Sequence, residues 1–86
     1  NVFIPDKENE LPIKFKLSSD RQVRLEIYDI TGTKITNVAE GQFKAGWNTY
    51  AWNGLTDNGQ KVGSGFYILT IRSGEYQAWK KLMIVR

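Results

Sequence analysis

The sequence predicts an all-β fold: an antiparallel β-sandwich of about seven short strands. Three observations carry that prediction. Apolar and polar residues alternate with a period of two in several separate runs, as half-buried strands require. Clusters of glycine, asparagine, aspartate and serine punctuate those runs at the spacing of a sandwich. No window repeats its apolar residues at helical spacing, which argues against a βαβ arrangement. The 86 residues are enough for one domain, residues 1–86. A chain of that size buries only about two-thirds of the surface its unfolded form exposes, so its stability is modest.

Taken in order, Val2-Phe3-Ile4 is a short apolar run closed by Pro5, as in an edge strand that stops donating hydrogen bonds. Asp6 to Glu10 is a charged connector. From Pro12 to Leu17, Ile13, Phe15 and Leu17 face one way and Lys14 and Lys16 the other. Ser18-Ser19-Asp20 is a turn cluster. Gln22 to Ile30 alternates again, with Val23, Leu25 and Ile27 inward and Arg24, Glu26 and Tyr28 outward. The two runs are spaced to form a hairpin, in which Lys16 or Arg24 would pair with Glu26 on the wet face. Asp29 to Thr33 is a turn with Gly32 at positive φ, Lys34 to Val38 a short strand, and Ala39 to Gly46 a loop plugged by Phe43.

The most informative stretch runs from Gly46 to Ile71. Between Trp47 and Trp52 the residues alternate, with Tyr50 and Trp52 on one face and Trp47, Thr49 and Ala51 on the other. Asn53-Gly54, Asp57-Asn58-Gly59 and Gly63-Ser64-Gly65 then build a long loop, and Phe66 to Ile71 resumes as a strand. Arg72 to Glu75 is a tight turn into the last strand, Tyr76 to Val85. The expected core is Ile13, Phe15, Leu17, Val23, Leu25, Ile27, Tyr50, Trp52, Tyr67, Leu69 and Ile71, with Trp52 at its centre.

Composition narrows the function. There is no histidine and no cysteine, which removes the commonest general base, the commonest metal ligand and all thiol chemistry. Serines therefore lack a histidine partner, and the carboxylates lie in turns or lack an aromatic pocket, so no enzyme is expected. A net charge of +3, from twelve basic and nine acidic residues, is too mild to indicate nucleic acid. No apolar run is long enough to span a bilayer. The chain starts at Asn1 without methionine, and we read it as a piece of a longer or processed polypeptide with any signal peptide upstream.

Several motifs together are familiar. Leu25-Glu26-Ile27-Tyr28-Asp29-Ile30-Thr31-Gly32 resembles the "apolar-x-Ile-Tyr-Asp-x-x-Gly" strand and turn of a bacterial Ig-like family. Ala45-Gly46, Trp52-Asn53-Gly54, Asp57-Asn58-Gly59 and Val62-Gly63-Ser64-Gly65-Phe66-Tyr67 resemble its next block, and Lys80 to Arg86 its "Lys-Lys-apolar-x-apolar" ending. Asn53 stands where the family usually has aspartate, and the opening Asn1 to Pro5 lacks one proline and one asparagine of the usual entry. The chain is thereby identified with the Ig-like (fibronectin-III-like) domains of the flagellar hook-capping (FlgD-like) protein, which overlap with the C-terminal sorting domains of type IX secretion cargo. The resemblance implies a C-terminal accessory module that directs secretion or cell-surface attachment of a larger bacterial protein. The partners it implies are the secretion machinery or neighbouring domains of the parent.

Three groups of residues are candidate sites. Under the sorting reading, Lys80, Lys81, Leu82, Met83, Ile84, Val85 and Arg86 are what the machinery inspects; alternatively the lysines protect a strand edge. Trp47, Trp79 and Tyr28 are candidates for a polysaccharide platform or a domain-packing contact, as in a module of a glycoside-degrading enzyme. A scaffold role, with the sandwich packing against copies of itself as in the hook cap, is a third reading. The loop from Asn53 to Gly59, with Asp29, invites calcium, but lacks the alternating acids and bidentate glutamate of such loops. Asn53 and Asp57 read instead as caps of their own backbone, and no metal or other cofactor is expected.

Overall fold

Where apolar residues alternate with charged ones, the chain is extended and buries one edge of the pleat. In the computed structural model of residues 1–86 this yields seven strands: β1 (Val2–Phe3), β2 (Leu11–Leu17), β3 (Arg21–Asp29), β4 (Lys34–Phe43), β5 (Gly46–Trp52), β6 (Gly65–Ser73) and β7 (Tyr76–Ile84). They form a five-stranded sheet in the order β1-β7-β6-β3-β4 and a two-stranded sheet of β2 and β5. The apolar faces of the two sheets close on each other as an Ig-like sandwich. All strand pairs are antiparallel except the first with the last: β1 runs parallel to β7, with Val2 opposite Met83 and Phe3 opposite Ile84.

Leu11, Ile13, Phe15 and Leu17 of β2 and Trp52 of β5 form one wall of the core. Val23, Leu25 and Ile27 of β3, Leu69 and Ile71 of β6, and Leu82 and Ile84 of β7 form the other, with Phe3 and Val62 completing it. Trp52 packs against Phe3 with ring centroids 6.1 Å apart, and its indole N–H donates to the Leu55 carbonyl at 3.1 Å. Phe43 meets Phe15 edge-on at 5.3 Å, as a plug at the sandwich's end. Tyr50 and Tyr67 are half-buried at the rim of the core, because their hydroxyls keep one end of each ring near solvent.

Three expectations need correction. β2 and β3 are not a hairpin; β2 pairs with β5, while β3 sits between β4 and β6. Both strands turn their apolar faces to the same core, so the Ser18–Asp20 turn carries the chain across from one sheet to the other. Asp20 fixes that crossing by accepting the Ala45 N–H at 2.7 Å. β4 runs on to Phe43 where a loop was expected, and two register shifts against β3 bend it. Glu26 does point to the outer face, yet it is only 3% exposed.

Glycine is required where the backbone takes positive φ in tight places. Gly54 (φ 79°) lies under Phe3 and Arg86, and a Cβ there would sit 3.0 Å from the phenylalanine ring. Gly74 (φ 59°) opens the two-residue turn that joins Ser73 to its partner Tyr76.

Candidate functional site

β7 carries five of the seven C-terminal candidates, with Val85 and Arg86 just beyond it, and alternation divides them. Even positions face the core: Leu82 and Ile84 are buried between the sheets. Odd positions face outward, so Lys81 is exposed and Met83 is half-covered. Lys80 shares the inward parity yet is exposed, its Nζ reaching β2 to donate to the Lys14 carbonyl at 3.3 Å. Nor is the end of the chain a free tail. Val85 N–H donates to the Phe3 carbonyl at 2.9 Å and Arg86 N–H to Ser64 Oγ at 2.9 Å. The Arg86 guanidinium donates to the carbonyls of Val62 and Gly54, clasping the long loop against the last strand. The seven residues therefore present no single surface: Lys80, Lys81 and Val85 are accessible, Met83 and Arg86 partly so, and Leu82 and Ile84 hold the fold together.

The aromatic candidates are separated in the same way. Trp47, 72% exposed, lies on the outer face of the two-stranded sheet, opposite Lys16 in β2, whose ammonium sits 5.9 Å from the ring centre. Trp79, 65% exposed, lies on the outer face of the five-stranded sheet, opposite Thr70. The two tryptophans point away from each other across the whole sandwich, so no one ligand surface includes both. Tyr28 shares the face of Trp79, one strand beyond β6, where it pairs with Ile68.

That outer face holds a constellation the sequence did not reveal. The Glu26 carboxylate is surrounded by Lys34 Nζ at 2.9 Å, Arg72 Nε at 3.1 Å and Arg24 Nε at 3.5 Å. Tyr28 donates its hydroxyl to the same carboxylate at 3.3 Å, and the Arg72 guanidinium lies 6.0 Å from the Tyr28 ring centre. Burial pushes the Glu26 carboxyl up, but the hydrogen bond and charge of Lys34, the charge of Arg24 and the Tyr28 hydroxyl together hold it below its ordinary value. Alternation marks Glu26 as outward; only the arrival of Arg72 from β6 and Lys34 from β4 buries it. Such a cluster, one buried anion held among cations delivered by β3, β4 and β6, ties three strands together.

The loop carboxylates and amides are largely spent on the backbone. Asp29 accepts from the Thr31 hydroxyl at 2.6 Å and from the N–H groups of Thr33 and Thr31 at 3.0 and 2.9 Å. The Thr31 hydroxyl foremost, with the backbone N–H groups, draws its carboxyl below the usual aspartate range despite some desolvation. Asn53 accepts the Leu55 N–H at 3.0 Å, as expected of a cap. Asp57 does not cap; Thr56 does, its hydroxyl accepting the Gln60 N–H at 3.1 Å. No group of three or more acidic side chains comes together to hold a metal ion. No helix is long and apolar enough to cross a membrane.

The sequence profile of the FlgD Ig-like domain matches residues 3–76. No curated protein matches the chain. Among solved structures, dimeric latent PorU from Porphyromonas gingivalis contains a similar fold, with a TM-score of 0.67 and 24% identity. The likeness covers 91% of this chain and 8% of that one, so this chain spans a small fraction of PorU's length.

Proposed function

This chain belongs to the FlgD Ig-like domain family, and from that premise we propose that it is a non-catalytic accessory module directing secretion or surface attachment of a larger bacterial protein. The observation that carries the reading is the family match over residues 3–76, reinforced by the Lys-Lys-apolar ending that resembles type IX sorting domains. A similar sandwich forming 8% of a far longer chain accords with use as an appended unit. In this reading the partner is the secretion machinery or a neighbouring domain of the parent, and the location is outside the cell or on its surface.

Burial narrows the side chains open to such a partner. With Leu82 and Ile84 in the core, a receptor that reads the folded domain meets Lys80, Lys81, Val85 and the covered edge of Met83. Recognition of the leucine and isoleucine themselves would require the strand to leave the sandwich. The test is a reporter with an ordinary export signal, fused to residues 1–86 and expressed in a bacterium with type IX secretion. Deleting Leu82 to Arg86 is an unsuitable control, since it removes two core residues. Lys81→Glu and Val85→Asp leave the core intact; loss of surface reporter in these variants, with the domain still folded, supports the reading, and unchanged export refutes this assignment of the contact residues.

A further inference from the structure

We propose that the outer face of the five-stranded sheet binds an anionic polysaccharide, laid across the strands with one sugar ring on Trp79 and its acid groups on Arg72 and Arg24. This site shares only Lys81 with the C-terminal contact residues and does not depend on a sorting role.

Register places the parts. Gln77, Arg72 and Arg24 are consecutive cross-strand neighbours on β7, β6 and β3, and Trp79, Thr70 and Glu26 form the adjoining row. Neighbouring strands lie about 4.8 Å apart and two residues rise about 6.6 Å, so Trp79 and Arg24, two strands and one row apart, are separated by about 12 Å, within the span of a short oligosaccharide. Trp79 offers an open ring whose electron-rich face attracts the polarised C–H bonds along one side of a sugar. Arg24 meets Glu26 only through Nε, leaving its terminal nitrogens without a protein partner, and Arg72 uses Nη1 on the Gln77 side chain at 3.2 Å. Two guanidinium groups are therefore held side by side by one buried carboxylate, with donors left over for a planar acid group. A shallow cleft of about 270 Å³ lies beside them, lined in part by Gln22, Arg24, Arg72 and Gln77.

Charge selects the occupant. Across this face Arg24, Lys34, Arg72 and Lys81 stand against one exposed carboxylate, Glu40, since Glu26 is buried and already paired. A second copy of the chain would bring two such cationic faces together, which disfavours self-association. A protein partner needs an apolar centre depleted of charge. Along β7 Trp79 is flanked instead by Gln77 and Lys81, and the exposed Phe66 lies two rows away with the Lys81 ammonium 5.6 Å from its ring centre. The aromatic surface is thus interrupted by polar and charged groups, which suits a ligand made of hydroxyl and acid groups.

The test is titration of residues 1–86 with a polyuronate oligosaccharide, neutral dextran and polyglutamate, read by calorimetry and by chemical-shift changes. Polyuronate should bind, more weakly as salt rises, and dextran should not. Trp79→Ala and Arg24→Gln should each weaken binding by about tenfold, the size of a contact at the centre of a site. Trp47→Ala and Lys16→Gln remove the same kinds of group from the opposite face and should stay within about twofold of the parent. Polyglutamate binding as tightly as polyuronate would overturn the proposal in favour of a surface for acidic polypeptides. Equal losses from the two faces would reduce it to non-specific polyanion attraction, and absence of polyuronate binding at millimolar concentration would end it.

Discussion

Replacing Glu26 with glutamine keeps the shape of the side chain and removes only its charge. Lys34, Arg72 and Arg24 would then face one another around a neutral amide, within 2.9–3.5 Å of where the charge had been. Leaving buried charges without their partner is destabilising by about 3–5 kcal/mol. Here only the carboxylate is buried, while the three cations keep 36–48% of their side-chain surface in solvent. Water screens much of their repulsion, and exposed pairs are worth no more than about 1 kcal/mol. Between those limits we expect a loss of about 2 kcal/mol for Glu26→Gln, or roughly 8–16 °C in melting temperature for a chain of this length.

The pH dependence supplies the sharper test. The folded-state carboxyl of Glu26 titrates below its ordinary value of 4.5, so the charge contributes fully to stability above that pH and the contribution is lost as pH falls through the folded-state value. Urea melts of parent and variant from pH 7 to pH 2.5 should show a gap of about 2 kcal/mol that closes in acid. High salt should narrow the gap at pH 7 as well. A gap below about 0.5 kcal/mol at pH 7, or one that stays constant into acid, would refute the claim that this carboxylate ties three strands together.

Three further substitutions check the packing. Trp52→Ala removes the ring between Phe3 and the Leu55 carbonyl and should lower stability by about 3–5 kcal/mol, enough to unfold much of the protein at room temperature in a fluorescence melt. Gly54→Ala forces a Cβ to 3.0 Å from the Phe3 ring at positive φ, and a loss of about 2–3 kcal/mol is expected in urea unfolding. Arg86→Ala unclasps the loop from Gly54 and Val62, with an expected loss of about 1–2 kcal/mol and faster amide exchange at Val62, whose N–H bonds to the Gly54 carbonyl.

Much of the fold was legible because alternation is a local signal. Pro12 to Leu17 and Gln22 to Tyr28 state which side chains go in, and the structure agrees for Ile13, Phe15, Leu17, Val23, Leu25 and Ile27. What alternation does not carry is which strand lies beside which. The hairpin expected of β2 and β3 failed on that point, since two strands with facing apolar edges satisfy the same pattern whether they share a sheet or oppose each other. The same blindness explains the tryptophans: the pattern groups Trp47 and Trp79 as one platform, but they face outward from different sheets. Glu26 was hidden because its burial depends on long cations delivered by β4 and β6. In the run Leu82-Met83-Ile84-Val85 every residue is apolar, so periodicity cannot choose a face; pairing of Met83 with Val2 and Ile84 with Phe3 chooses it. Val62 joined the core from a loop without any period at all.

The central claim, that this sandwich acts as a transferable export or attachment module, is tested most directly by the location of a fused reporter. In a bacterium with type IX secretion, the fraction of a periplasm-targeted reporter reaching the surface or medium should rise when residues 1–86 are appended, and fall back with Lys81→Glu in a domain that still melts cooperatively. A reporter that stays in the periplasm with its appended sandwich folded would contradict the account.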